Sequence, residues 1–109
     1  MRYVTERQDC AIEYTLKVLG SKWTILVLRE LFTGTQRFNE LRRRLKTIST
    51  KTLTERLQEL EEEGIITRTM YPDIPPRVEY RLTERGQSLR PILKAMIEWG
   101  TVGDPQLKD

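Results

Sequence analysis

The chain contains no histidine and a single cysteine, and both scarcities close off chemistry. Without imidazole, histidine-based acid–base catalysis and metal binding are excluded. Cys10 has no second cysteine to pair with, so an internal disulfide framework is impossible. Aromatic residues are sparse and do not interleave with the basic ones, which argues against stacking on single-stranded RNA. No apolar run approaches the roughly 18 residues of a membrane span, and Met1 to Arg7 lacks the apolar core of a signal peptide. A cytoplasmic protein without a membrane partner is therefore expected. There is no glycine-rich phosphate loop, spaced Cys/His cluster or nucleophile motif, so no catalytic residue, metal or cofactor is expected. Glu59 to Glu63 offers carboxylates, but neighbouring helical positions diverge, and a solvated face is the better reading.

What remains is a chain of 109 residues, 38% hydrophobic and 32% charged, of a size and composition that suit one globular domain. Its net charge is only +3, yet the charge is segregated. Residues 37 to 56 hold Arg37, Arg42, Arg43, Arg44, Lys46, Lys51 and Arg56 against Glu40 and Glu55, a net +5. Residues 57 to 64 hold four glutamates and no cation. A basic block followed by an acidic one places the positive potential on one element.

The apolar spacing predicts the elements. Residues 1–9 read as a flexible arm. Ile12, Leu16 and Leu19 recur at helical spacing before Gly20, and Ser21 caps a second helix with Trp23, Leu26, Val27, Leu31 and Phe32 on its buried stripe. A third helix from about Arg37 to Leu45 buries Phe38, Leu41 and Leu45. Ser49 then caps a fourth, which buries Leu53, Leu57 and Leu60 and stops at Gly64. From Ile65 to Tyr71 and from Val78 to Leu82 the pattern becomes that of strands, joined by the proline-dense loop 72–77. Thr83 opens a last helical region that Pro91 should kink or divide and that Trp99-Gly100 closes, leaving 101–109 as a polar tail. The fold class expected is mainly α with a small β-hairpin, an α+β winged helix-turn-helix spanning 1–109.

Helix four carries Thr50, Lys51 and Thr54 opposite its leucines. Hydroxyls and a cation on a helix that follows a tight turn are what major-groove readout needs. The candidate DNA contacts are Arg37, Arg42, Ser49, Thr50, Lys51, Thr52, Thr54 and Arg56, with Arg77 and Arg81 on a wing that could reach phosphates or the minor groove. Leu89, Ile92, Leu93, Met96 and Ile97 form more apolar surface than so small a core requires. With Tyr14 and Trp99 they are the candidate homodimer interface.

Several segments, Cys10-Ala11-Ile12-Glu13-Tyr14, Gly20-Ser21-Lys22-Trp23, Arg37-Phe38-Asn39-Glu40-Leu41, Pro75-Pro76-Arg77-Val78-Glu79-Tyr80, Leu82-Thr83-Glu84-Arg85-Gly86 and Glu98-Trp99, occur in an order that resembles the HxlR family of bacterial winged helix-turn-helix regulators. The resemblance runs from about residue 9 to 100. It implies a homodimer on a palindromic double-stranded operator, with the terminal helices forming the interface. It further implies that helix four reads the major groove while the wing contacts flanking DNA. Some members of that family sense oxidants or electrophiles through a cysteine just before the first helix, the place Cys10 takes here, although the usual Cys-Pro pair is Cys-Ala.

Two roles for Cys10 follow. A thiol at a helix N-terminus is pushed toward thiolate by the helix dipole, which suits a redox sensor, while Asp9 opposes this. Alternatively Cys10 fills space, and control comes from an unknown small-molecule effector or from abundance. A winged helix that binds protein instead of DNA is the other competing reading. It would call for more aromatic or aliphatic anchors on helix four than Thr50, Lys51 and Thr54 provide.

Overall fold

The computed structural model of the chain describes residues 6–107. Helix α1 spans Glu6–Leu19, α2 Lys22–Leu31, α3 Phe38–Leu45 and α4 Thr50–Glu62. Strand β1 is the short Gln36–Arg37, β2 is Ile66–Tyr71 and β3 is Arg77–Leu82. Helices α5, Glu84–Gln87, and α6, Arg90–Gly103, follow, and a 3-10 turn at Pro105–Leu107 ends the described chain. The sheet is antiparallel in the order β1-β3-β2, with Gln36 opposite Tyr80 and Ile66 opposite Leu82. Helices with a β-hairpin after the fourth make this a winged helix.

The core is built by α2, α3, α4, the sheet and one residue of α6. Val27, Leu28, Leu41, Leu53, Leu57, Leu60, Ile65 and Ile66 are essentially sealed from water. Short structural devices hold these elements in register. Ser49 ends the α3–α4 turn, its Oγ accepting the Thr52 backbone N–H at 3.0 Å, which satisfies one orphan donor of α4. Gly64 closes α4 with φ of 73°, a conformation that favours glycine. At Gly86 the requirement is space: a Cβ there would stand 2.3 Å from the Ile65 carbonyl oxygen. Thr83 clasps the same junction, its hydroxyl donating toward the Gly64 and Ile65 carbonyls and accepting from the Gly86 N–H at 3.1 Å.

Four expectations need correction. The arm over 1–9 is helical from Glu6 onward, while residues 1–5 lie outside the described residues. Ile12 and Leu16 are exposed, and α1 seals no residue from water, its stripe meeting the core only at its end through half-buried Leu19, beside Val18. The polar tail over 101–109 is partly ordered, since α6 runs to Gly103 and the turn at 105–107 follows; residues 108–109 lie outside the described residues. Phe38 is half-buried against the core rather than sealed in it, as are Trp23, Leu26 and Phe32 of the stripe expected on α2. Pro91 does divide the last helical region, starting α6 where its missing N–H costs nothing.

The strand β1 carries no pattern long enough to read in the sequence. Gln36 is buried, and its side-chain amide donates to the Glu30 carbonyl at 2.5 Å, tying the end of α2 to the sheet. Ile48, in the α3–α4 turn, is a further core residue that helical periodicity passes over. There Lys46 adopts φ of 53° to turn the chain between the helices.

Candidate nucleic-acid interface

Burial of Leu53, Leu57 and Leu60 fixes which side of α4 faces outward. Thr50, Lys51 and Thr54 are exposed on it, with Glu55 and Gln58 beyond them. Thr54 donates its hydroxyl to the Thr50 carbonyl at 2.8 Å, which orients its remaining lone pairs toward solvent. Ser49 and Thr52 have their hydroxyls joined to each other at 2.9 Å. That pair belongs to the cap, so these two residues shape the first turn of α4 rather than offering free contacts.

The cations divide into free and engaged groups. Arg42, Arg43 and Lys46 surround a shallow exposed patch on α3 with Asn39, and none forms an ion pair among the described residues. Lys51 likewise forms no ion pair among the described residues. Arg37 sits at the N-cap of α3, where its backbone N–H donates to Glu40 Oε1 at 2.8 Å and its side chain stays exposed. Arg81 is exposed on β3, and its carbonyl receives the Thr67 hydroxyl.

Two candidate contacts are spent elsewhere. Arg56 lies beside the buried stripe of α4, pairs with Glu59 at 3.0 Å and lines a cleft with Lys17, Ser21 and Thr24, away from the exposed face of α4. Arg77 pairs with Asp73 at 3.5 Å and Glu79 at 3.3 Å and stacks over Tyr71 at 4.3 Å. Its charge is neutralised inside the wing, so it braces the loop instead of presenting a free cation.

The candidate dimer residues also separate. Leu93 is 5% exposed and packs into the chain's own core, so it cannot contribute to an outer face. Leu89 is half-buried against that core. Ile92, Met96, Ile97 and Trp99 are exposed, Trp99 by 81%, and Val102 extends the same apolar surface. Tyr14 has partners within the chain: its hydroxyl donates to Glu63 Oε2 at 2.8 Å and accepts from Arg85 Nη2. The bond to Glu63 raises the Tyr14 pKa, because ionisation would forfeit that donor beside a carboxylate. Arg85 also donates from Nε to the Glu63 carbonyl at 3.0 Å, joining α1, the end of α4 and α5. Its structural role has no signature in charge or spacing, because an arginine two residues past a helix cap is ordinarily solvated.

Cys10 is exposed and is the fifth residue of α1, not the residue before it. The argument from the positive end of a helix dipole loses its basis there, since the dipole acts within the first turn. Among the described residues, no group of three or more His, Cys, Asp or Glu side chains could hold a metal ion, and no helix is long and apolar enough to cross a membrane.

A winged helix with cations beside an exposed, hydroxyl-bearing α4 defines the class as winged helix-turn-helix proteins. Known proteins make the assignment narrower. The HxlR-like helix-turn-helix family matches residues 18–106. An HTH-type transcriptional regulator of Synechocystis is 53% identical over 92 residues, covering 84% of this chain and 68% of its own. One from Methanothermobacter thermautotrophicus is 50% identical over 91 residues, covering 84% and 70%. Among solved structures, the redox regulator HypR in its oxidized form superposes with a TM-score of 0.80 at 45% identity, covering 85% of this chain and 96% of that one. The chain belongs to the HxlR-like helix-turn-helix family, whose relatives here are transcriptional regulators and not enzymes.

Proposed function

We propose that the chain acts in the cytoplasm as one winged-helix domain that pairs into a homodimer and binds a palindromic operator in double-stranded DNA. The observation that carries this is the pairing of a capped α4, exposing Thr50, Lys51 and Thr54, with Arg42 and Arg43 of α3 and Lys46 at its C-cap, none ion-paired among the described residues. Thr50, Lys51 and Thr54 would meet base edges or adjacent phosphates, while Arg37, Arg42 and Arg81 bind phosphates. Two copies joined through the exposed faces of α1 and α6 would set their α4 helices about 34 Å apart, one turn of the duplex.

A salt titration tests this, using duplexes selected by the protein from a randomised library. Lys51→Ala should lower the slope of log affinity against log salt by about 1.8, the loss of one phosphate contact in each half of the proposed homodimer. Arg77→Ala should leave the slope unchanged, because Asp73 and Glu79 already neutralise it. A wild-type protein that selects no duplex would end the proposal.

An exposed free thiol supports a second layer, response to oxidants. Cys10 lies one helical turn before Tyr14, so an adduct on it would sit on the side of α1 that Glu63 and Arg85 hold. The likeness to a structure described as a redox regulator adds to this. Any disulfide would have to be intermolecular, as the chain has no second cysteine. Operator binding by wild type and Cys10→Ser, with and without diamide, tests it: only the wild type should lose affinity. Equal behaviour of the two proteins would leave Cys10 a spectator.

A further inference from the structure

The wing loop presents an anomaly. Ile74 is 101% exposed, at the tip between β2 and β3, and none of the described residues covers it. Leaving a large β-branched side chain wholly in water forgoes its burial free energy, so a bare isoleucine at a protruding tip contributes nothing to the monomer. The tip is nevertheless held firmly. Pro72, Pro75 and Pro76 restrict the backbone around it, and Arg77 braces its base through Asp73, Glu79 and Tyr71.

That brace has an electrostatic consequence. Between residues 72 and 79 the charged side chains are Asp73, Arg77 and Glu79, so the tip has no surplus positive charge with which to grip phosphate. Cations lie instead across an open groove, where Arg37 at the N-cap of α3 and Arg43 of α3 line one wall and residues 73–78 the other. A DNA backbone following the α3 cations would bring the tip against the edge of the duplex.

We infer that the wing reads DNA through Ile74, as an apolar contact in the minor groove, and not through a cation. Apolar side chains, isoleucine among them, enter the minor groove and loosen base steps there. A rigid tip enters without a large ordering cost. The guanine 2-amino group is the donor that marks G·C in this groove, and it would obstruct an apolar tip, so A·T-like flanks would be preferred. This inference rests on the DNA-binding proposal above.

The test uses the full chain and duplexes it has selected from a randomised library, prepared with flanking G·C pairs or with inosine in place of guanine. Inosine removes the minor-groove amino group and leaves the major-groove acceptors in place. Wild type should bind the inosine-flanked duplex more tightly. Ile74→Ala should lose about tenfold per wing, and so about a hundredfold for the proposed homodimer, on that duplex, as forfeiting burial of most of one isoleucine in each half-site predicts, and should no longer distinguish the two flanks. Its salt slope should match wild type. Unchanged affinity in Ile74→Ala, or an equal loss on both flanks, would overturn the inference while leaving DNA binding intact. Failure of the wild type to select any duplex would remove DNA binding and this inference together.

Discussion

Helices α4 and α6 are nearly equal in length, 13 and 14 residues, and both carry an apolar stripe at helical spacing. Their fates differ. α4 buries Leu53, Leu57 and Leu60 against α2 and the sheet, whereas α6 buries Leu93 alone and leaves Ile92, Met96, Ile97 and Trp99 in water. One stripe is satisfied by its own chain; the other stays exposed, and the proposed homodimer would cover it. Periodicity reports which side of a helix is apolar; what covers that side depends on residues far away in sequence or on another molecule.

The largest expected effect comes from breaking the satisfied stripe. Leu53→Ala should cost about 2–5 kcal/mol, from lost burial plus the cavity left among Leu28, Leu41 and Leu57, measured by denaturant unfolding. The cost should not depend on protein concentration. Ile97→Ala should behave otherwise, destabilising a concentrated, paired sample and becoming nearly neutral on dilution. A concentration-independent cost for Ile97→Ala would mean that α6 is covered within the monomer.

Introducing charge sharpens the same contrast. The double substitution Met96→Glu and Ile97→Glu places two carboxylates on the exposed face of α6. Sedimentation should show dissociation, with dimer affinity weakened by at least about a hundredfold, since each buried, unpaired charge costs several kcal/mol. Monomer stability should move by no more than about 0.5 kcal/mol, as expected where a side chain touches little. An unaltered dimer would place the interface elsewhere.

Much of the fold was legible because the leucines of α2, α3 and α4 repeat cleanly and are bounded by Ser49, Gly64 and Thr83. Leu41, Leu53, Leu57 and Leu60 are buried as their spacing requires. The strand β1 was not legible, because two residues cannot display a period, and Gln36 is buried through a side-chain hydrogen bond that only the fold creates. The candidate DNA surface was half legible. Sequence shows where cations lie, but Arg56 and Arg77 are engaged by carboxylates three, four and two residues away, and which cations remain free depends on rotamers. Leu93 and Cys10 were misplaced for a shared reason: neither a helix's start nor the depth of one stripe position is fixed by local pattern.

Within α4, two hydroxyls offer a finer contrast. Ser49→Ala removes the acceptor of the Thr52 N–H and should lower stability by about 1 kcal/mol in thermal or denaturant unfolding. Thr54→Ala removes only a bond back to the Thr50 carbonyl and should leave stability within about 0.5 kcal/mol while changing which duplexes are selected. If Thr54→Ala selected the same duplexes as wild type, the exposed side of α4 would not be the reading surface.

The smallest effect belongs to the joint between α1 and the end of α4. Tyr14 is held neutral by donating to Glu63, so its folded pKa stands above that of the unfolded chain. The folded state therefore retains the proton to higher pH than the unfolded state does. Stability from this bond is fully present below the ordinary tyrosine range and is lost as pH rises through the raised folded value. Tyr14 is 45% exposed, so solvent screens the interaction and the loss should be slight. Tyr14→Phe should abolish this alkaline component, since phenylalanine has no proton to give up, while the core leucines keep the remaining stability unchanged. Unfolding free energies of the two proteins, followed upward from neutral pH, should converge as Tyr14 ionises in the wild type. Parallel curves would show that the Glu63 and Arg85 contacts do not hold α1 in solution.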